Sequence, residues 1–173
     1  MEHFSTMIAG FLAIVTLIFM PVMNVALQAD NVSQNVIDNA VQEFVDDSRS
    51  SGKITAHEYE KMMDSINRAQ PLCDIHITCG HKKYVPDVSG TVMDYHDENG
   101  ETVILDSLYT DSGETSDYLL KKGDYLHVTV KNTTPSNGMK ILSLFIPSSK
   151  SATTIYTTYG GYVEEDGLLN MRP

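Results

Sequence analysis

Residues 17–36 read LIFMPVMNVALQADNVSQNV, and this stretch decides how the rest of the chain is arranged. An apolar run passes through Pro21 and becomes polar after Gln28, with no lysine or arginine where the change occurs. Residues 7–28 carry no charged side chain. A helix of about 20 apolar residues is long enough to cross the hydrocarbon layer of a bilayer. We therefore expect residues 7–28 to form a transmembrane helix, preceded by a short leader over residues 1–6.

A cleaved secretory signal peptide is the alternative interpretation of this segment. Such peptides carry a basic n-region, a shorter apolar core and a small-x-small cleavage site. The leader MEHFST contains no lysine or arginine, and Ala26 and Ala29 are poorly spaced for that cleavage. A retained anchor is therefore favoured. Because the polar bulk of the chain follows the segment, we expect a single-pass protein of the cell membrane with residues 30–173 outside.

The helix is predicted to continue beyond the membrane, over residues 29–50. Apolar residues recur there at steps of three and four, which is the spacing of one face of an α-helix. This predicted stem packing face comprises Val32, Val36, Ala40 and Phe44. Pro21 removes one backbone hydrogen bond and is expected to kink the helix, which membrane helices tolerate. Residues 7–50 are thus interpreted as one long stem helix, apolar all round in its first half and on one side in its second.

The remaining residues, 51–173, are predicted to form one globular α+β domain. A turn at residues 50–52 is followed by a second, short helix. Thr55 and Glu58 have the spacing of a capping box at the start of that helix, and Pro71 ends it.

After Leu72 the apolar and polar residues alternate, which indicates the strands of an antiparallel sheet or a small sandwich. The segments expected as strands include ETVILD after an Asn99-Gly100 hairpin turn, YLHVTV after a turn at Gly123, and MKILSLFIP. Gly160-Gly161 predicts a further tight turn near the end of the chain.

The composition argues against two classes of function. The formal net charge is −11, with 12 lysine and arginine residues against 23 aspartate and glutamate residues. Nucleic-acid binding requires clustered basic residues, so we expect no nucleic-acid partner. The sequence also lacks the G-x-S-x-G, H-E-x-x-H and phosphate-binding glycine motifs. We therefore expect no enzymatic activity and no cofactor.

Four residues with zinc-ligand chemistry lie close together in the sequence: Cys73, His76, Cys79 and His81. In a strand, Cys73 and Cys79 share one face while His76 points to the other, so we expect no metal here. A Cys73–Cys79 disulfide is left open as an alternative to free thiols. Straight strand would separate the two residues by about 20 Å, whereas a disulfide needs Cα atoms within about 7 Å.

An acidic hairpin tip is the second candidate for a metal. It contains Asp94, Asp97, Asn99 and Glu101. Asp97-x-Asn99-Gly100 matches part of a calcium-binding loop, but the glutamate required at the twelfth position is missing. A solvated turn is expected instead.

The order of these segments resembles the TadE-like minor pilins of Gram-positive, clostridial-type bacteria, and more broadly the type IV pilins and pseudopilins. The matching stretches are VQEFVDDSRSSGKITAHEYEKMMDSI, HKKYVPDV, KKGDYLHVTVKN and TTYGGYV, which with the anchor run across most of the chain. The resemblance implies a structural or assembly role in a surface pilus. It implies the lipid bilayer and other pilin-like subunits or pilus assembly proteins as partners of the stem helix. Pro21 resembles the kink-forming proline of pilin stems.

One feature of pilins is missing. Their processing site has a glycine followed five residues later by glutamate, whereas Gly10 is followed five residues later by Val15. Cleavage by a prepilin peptidase and incorporation into a fibre therefore do not follow from the resemblance. A membrane-bound accessory of the assembly machinery is the other role within this family.

Two hypotheses from other classes remain. A single-pass anchored surface module would bind an extracellular ligand with its sheet domain, and would have a flexible break near residues 29–33. An exported hydrolase would need residues that only folding brings together. The pilin-like hypothesis instead predicts an uninterrupted helix from Phe4 to Ser48, with partner helices packing against Val32, Val36 and Ala40.

Overall fold

The computed structural model describes residues 2–86, 92–109, 115–144 and 155–167. The helices are α1 (Glu2–Ser51), α2 (Ala56–Ala69), α3 (Glu101–Leu108) and α4 (Asn137–Ser143). The strands are β1 (Lys53–Ile54), β2 (Cys73–Pro86), β3 (Val92–Gly100), β4 (Tyr118–Leu119), β5 (Tyr125–Asn132) and β6 (Tyr156–Tyr162). This arrangement confirms the predicted α+β fold class, with a long N-terminal helix, a short second helix and antiparallel sheets. Below, α1 is called the stem helix, and the described residues from 52 onward are called the head.

The main sheet has four strands in the order β3-β2-β5-β6, and every neighbouring pair is antiparallel. One face of this sheet is apolar and buried. It includes Ile75 and Ile77 on β2 and Val128 and Val130 on β5. The short strands β1 and β4 pair separately. The alternating pattern that predicted the strands therefore reflects a sheet with one face in the core.

The second half of the stem helix packs with α2 against the buried face of the sheet. Ile37, Val41 and Val45 are completely buried there. The ring of Phe44 meets the ring of Tyr59 on α2 edge to face, with centroids 6.5 Å apart. Each fully buried aliphatic side chain stabilises a fold by about 1.5–3 kcal/mol. The second half of the stem helix is thus part of the core.

Helix α2 begins where the sequence predicts. The amide of Glu58 donates to the Thr55 hydroxyl, and the amide of Thr55 donates to the Glu58 carboxylate, both at 3.2 Å. This reciprocal pair is the predicted capping box. Met62 and Ile66 point into the core from the same helix face.

The ETVILD segment is a helix, so the prediction of a hairpin at Asn99-Gly100 is wrong. Strand β3 ends at Gly100 and α3 begins at Glu101. The buried residues of α3 are Ile104 and Leu108, which are four apart and therefore have helical spacing. The antiparallel partner of β3 is β2, which precedes it in the chain.

The start of MKILSLFIP is also helical, which corrects a second strand prediction. Helix α4 covers Asn137–Ser143, and Ser136 caps it by accepting a 3.3 Å hydrogen bond from the amide of Met139. Serine before an Asn-Gly pair is a good N-cap, and that local signal outweighs the apolar run that follows. Residues 145–147 of the predicted strand lie outside the described residues.

Of the two turns predicted at Gly123 and at Gly160-Gly161, one is confirmed and one is wrong. Gly123 forms the predicted turn, with a φ of 90° in the left-handed region that glycine favours. Gly160 and Gly161 do not form a turn but lie within β6. A Cβ atom on Gly160 would lie 2.6 Å from the carbonyl oxygen of Leu126, and one on Gly161 would lie 2.7 Å from the guanidinium carbon of Arg49. These two glycines allow close packing.

Candidate functional site

The first half of the stem helix exposes its apolar side chains. Phe11 is 69% exposed and Leu17 is 75% exposed. Within the described ranges, α1 is the one helix that is long and apolar enough to cross a membrane, and none of its most apolar 18-residue window is buried. Pro21 lies inside α1, which continues on both sides of it. This half is compatible with a single-pass membrane anchor.

The stem helix meets the head through a small polar group that we call the junction cluster: Asp30, Ser136 and Gly138. The carboxylate of Asp30 is buried and accepts hydrogen bonds from the Ser136 hydroxyl and from the Gly138 amide, each at 2.7 Å. Hydrogen bonds to charged groups contribute about 1.5–3 kcal/mol each. The start of α4 is thus fixed directly to the stem helix.

Two further contacts surround the junction cluster. The carbonyl oxygen of Ala69, at the end of α2, accepts hydrogen bonds from the Ser33 hydroxyl and from the Asn137 side chain, each at 3.0 Å. The backbones of α1 and α4 are so close that a Cβ atom on Gly138 would lie 2.2 Å from the carbonyl oxygen of Ala26. The end of α2, the start of α4 and residues 26–33 of the stem helix therefore meet at one point.

The far end of the stem helix is held by strand β6. Arg49 donates a 2.7 Å hydrogen bond to the carbonyl oxygen of Tyr162 and forms a 3.0 Å ion pair with Glu164. Strand β6 also contacts the stem helix nearer the junction cluster, where the amide group of Gln34 donates to the Thr157 hydroxyl at 2.8 Å. Exposed ion pairs stabilise a fold by at most about 1 kcal/mol. The carbonyl contact and the apolar core therefore do more than the Arg49–Glu164 pair to hold this end.

The predicted stem packing face is exposed at its first two residues and buried at its last two. Ala40 and Phe44 are buried in the protein's own core, so a partner helix cannot contact them while the head is folded. Val32 and Val36 are 61% and 39% exposed. The apolar surface that remains open to a partner therefore lies at the end of the predicted face nearest the exposed apolar half of the stem helix.

The exposed valines line an open groove, which we call the stem groove. Its volume is about 570 Å³. The stem helix supplies most of the wall. The head supplies the opposite side, through the end of α2 and the start of α4. The lining residues are Val25, Gln28, Ala29, Val32, Ser33, Val36, Arg68, Ala69 and Asn137. The groove is thus mainly apolar, with one basic residue at its edge.

A second polar group lies on the inner face of the sheet, and we call it the inner-face cluster: Cys79, His81, Tyr118 and Asp124. One ring nitrogen of His81, Nδ1, lies 2.7 Å from the Asp124 carboxylate, and the other, Nε2, lies 2.7 Å from the Tyr118 hydroxyl. The ligand atoms of Cys79, His81 and Asp124 all lie within 4.8 Å of one another. The cluster is largely buried, because the side chains of His81 and Asp124 are only 25% and 2% exposed.

Strand alternation and register build the inner-face cluster. Cys79 and His81 are two residues apart on β2 and so share a face. The β2–β5 register pairs Cys79 with Leu126 and Gly80 with Tyr125, and its next step brings His81 opposite Asp124. The backbone amide of Lys121 donates to the Asp124 carboxylate at 2.9 Å, which fixes that side chain at the Gly123 turn.

The thiol of Cys79 is electrically neutral near pH 7. Burial raises its pKa to about 12, the negative charge of Asp124 adds to the rise, and a hydrogen bond with Tyr118 opposes it. The thiolate is the nucleophilic form of cysteine. Cys79 next to His81 is therefore poorly suited to act as a catalytic nucleophile.

The four residues that the sequence suggested as zinc ligands do not all come together in the structure. Cys73 and Cys79 are both free thiols, because six residues of continuous strand keep them apart, and no disulfide joins them. His76 points away from the core, with its side chain 67% exposed. His81 instead meets Asp124 and Tyr118, two residues that sequence reasoning missed. The spacing of Cys79 and His81 was a usable signal, but the contribution of Asp124 depends on strand register.

The acidic hairpin tip considered for calcium falls largely outside the described side chains, which exclude those of Asp94, Asp97 and Asn99. Glu101 is half-buried at the first position of α3. Burial raises the pKa of its carboxyl group, while nearby His76 acts in the opposite direction.

Comparison with known proteins gives no further guide, because no family model, no curated protein and no solved structure matches the chain. Inference of function therefore rests on the geometry of the stem helix and the head.

Proposed function

We propose that this protein is a pilin-like structural or assembly component of a Tad/type IV-type surface pilus. The first half of the stem helix would anchor it in the cell membrane, with the head outside. The observation that carries this proposal is the continuity of α1. One helix runs from Glu2 to Ser51, largely exposed and apolar in its first half and built into the core of the head in its second.

The physical value of such a helix is rigidity. A helix rises about 1.5 Å per residue, so 50 residues span about 75 Å without a joint. Because the junction cluster and the Arg49 contacts hold both ends of the second half, the head has a fixed position relative to the membrane-spanning half. A subunit that must align with neighbouring subunits requires this property, whereas a simple tether does not.

The exposed apolar surface supplies the second argument. Residues Val32 and Val36 extend that surface beyond the transmembrane half, into a region where water replaces lipid. Exposed apolar groups gain free energy when another apolar surface covers them. The stem groove offers such a surface next to the head. We infer that the stem helix of a pilin-like subunit or an assembly protein packs there.

The anchored ligand-binding module is less well supported. That hypothesis requires a flexible break near residues 29–33. Those residues are helical, and two of them, Asp30 and Ser33, are hydrogen-bonded to the head. Residues bound in this way would make a poor hinge.

Crosslinking in cells tests the proposal. Val32→Cys and Val36→Cys, each in a Cys73→Ser background that removes the half-exposed native thiol, should form disulfide-linked species with a partner carrying a cysteine at the matching position. Asn31→Cys is the matched control, because Asn31 is an exposed neighbour on the same helix but does not line the stem groove. Equal crosslinking at residues 31 and 32, or none at residues 32 and 36, would reject a specific stem contact.

A further inference from the structure

We propose that Cys79, His81 and Asp124 bind one divalent transition-metal ion, with zinc as the best fit. The inner-face cluster offers one sulfur, one nitrogen and one oxygen ligand from three side chains. The Cys79 thiol releases its proton to solvent when it binds the ion, because the positive charge of the ion stabilises the thiolate. Magnesium and calcium prefer oxygen ligands alone, whereas zinc takes thiolate, imidazole and carboxylate together. The set of three residues therefore selects for zinc and similar ions.

The distances suit a single ion. Zinc bonds of about 2.0–2.3 Å in tetrahedral geometry place neighbouring ligand atoms about 3.3–3.8 Å apart. The three ligand atoms already lie within 4.8 Å of one another. The His81–Asp124 pair, at 2.7 Å, must open by about 1 Å to admit the ion.

The neighbours of the cluster orient its ligands. If Nδ1 of His81 is the metal ligand, Nε2 carries the proton and donates to the Tyr118 hydroxyl, 2.7 Å away. A hydrogen bond to the second ring nitrogen is the usual way in which a protein fixes the tautomer and ring plane of a metal-binding histidine. The amide of Lys121 fixes the Asp124 carboxylate in the same manner.

The position of the site indicates its role. Cys79 and Asp124 are buried, and His81 provides the partly exposed side from which an ion enters. Three protein ligands leave a fourth position for a water molecule. Bound metal would join strand β2 to the turn before β5. This inference does not depend on a pilus role, because it concerns the head alone.

The test is a cobalt titration of the full-length chain, purified in detergent micelles and treated with a chelator. Cobalt(II) reports thiolate ligation through a charge-transfer absorption band in the near ultraviolet. We expect one equivalent to bind per chain, with the band appearing in proportion, and zinc to displace it. No saturable binding, or binding without the thiolate band, would overturn the proposal.

Two pairs of variants make the result specific to these ligands. Cys79→Ser should abolish the band, whereas Cys73→Ser, on the same strand, should keep it. His81→Gln should weaken binding about tenfold or more, whereas His76→Gln on the opposite face should leave the affinity unchanged. The proposal is wrong if the variants within a pair behave alike.

A folding control keeps the test decisive. Cys79 is completely buried, so Cys79→Ser can fail to fold for reasons unrelated to metal. His81 is partly exposed, and His81→Gln is therefore the variant whose result decides in that case. Zinc should raise the unfolding temperature of the unmodified chain and of His76→Gln but not of His81→Gln. An equal rise in all three would place the zinc elsewhere.

Discussion

The carboxylate of Asp30 on the stem helix accepts a 2.7 Å hydrogen bond from the backbone amide of Gly138 on α4. The two residues are 108 positions apart in the sequence. Their contact fixes the head to the stem helix immediately after the exposed apolar half of that helix. A long helix and a separate sheet domain thereby become one rigid unit, and the first two predictions test this contact from each side.

Removing the carboxylate should destabilise the head. Asp30→Ala leaves the Ser136 hydroxyl and the Gly138 amide without their buried acceptor, which should lower the free energy of unfolding by about 2–4 kcal/mol. Denaturant unfolding of the full chain in micelles, followed by circular dichroism, measures this change. Asn31→Ala is the control, because Asn31 is exposed and its loss should cost about 0.5 kcal/mol or less. Similar losses in both variants would show that the junction cluster is not a stabilising contact.

Adding a methyl group at Gly138, on the α4 side of the contact with Asp30, should also destabilise the head. In Gly138→Ala the new Cβ atom would lie 2.2 Å from the carbonyl oxygen of Ala26, so α4 must move away from the stem helix. We expect a loss of about 1–3 kcal/mol, as for other overpacked sites. Gly100→Ala is the matched control, because nothing lies within 4 Å of its added Cβ atom. If the two alanine variants unfold at the same denaturant concentration, α4 does not pack closely on the stem helix.

The two cysteines should differ in reactivity. Cys79 is completely buried and its thiol has a pKa of about 12, whereas Cys73 is only half-buried. Burial raises the pKa of Cys73 as well, so its alkylation should be slower than that of a free cysteine. Mass spectrometry after alkylation of the native chain should find Cys73 modified and Cys79 unmodified until denaturant is added. Early modification of Cys79 would contradict the packing of the inner face of the sheet.

A charge in the stem groove should block the proposed assembly into a pilus without unfolding the head. Val32 is 61% exposed, so Val32→Asp should leave the stability of the isolated protein unchanged within about 0.5 kcal/mol. Burying the new carboxylate against a partner's apolar helix is costly, so the fraction of protein in sheared surface filaments should fall. Asn31→Asp adds the same charge one residue away, outside the groove, and should assemble normally. Normal assembly of Val32→Asp would exclude the groove as a contact surface.

Local sequence signals correctly predicted α2 and the first half of the stem helix. The capping box of Thr55 and Glu58 fixed the start of α2, and the apolar run through Pro21 predicted the first half of the stem helix. The ETVILD segment misled because an Asn-Gly pair is a strong hairpin signal. Tertiary context outweighed it, since Ile104 and Leu108 bury one helical face.

The buried stripe of the stem helix was harder to predict for a physical reason. Hydrophobicity predicts that Val32 and Val36 are buried, but the buried residues in this part of the stem helix are Asp30 and Ser33. Polar residues are stable in such positions only when distant groups satisfy their hydrogen bonds. Those groups come from α2 and α4, which sequence periodicity cannot place next to the stem helix. The same limit hid Asp124, whose meeting with His81 depends on strand register.

Amide hydrogen exchange of the full-length chain in micelles tests the central claim most directly. The stem helix is continuous and is fixed to the head through residues 29–36. The account predicts that these amides exchange as slowly as those of residues 37–45, which lie in the core, and that Asp30→Ala selectively accelerates them. Rapid exchange over residues 29–36 in the unmodified chain, next to a protected core, would show a flexible tether and would contradict the account.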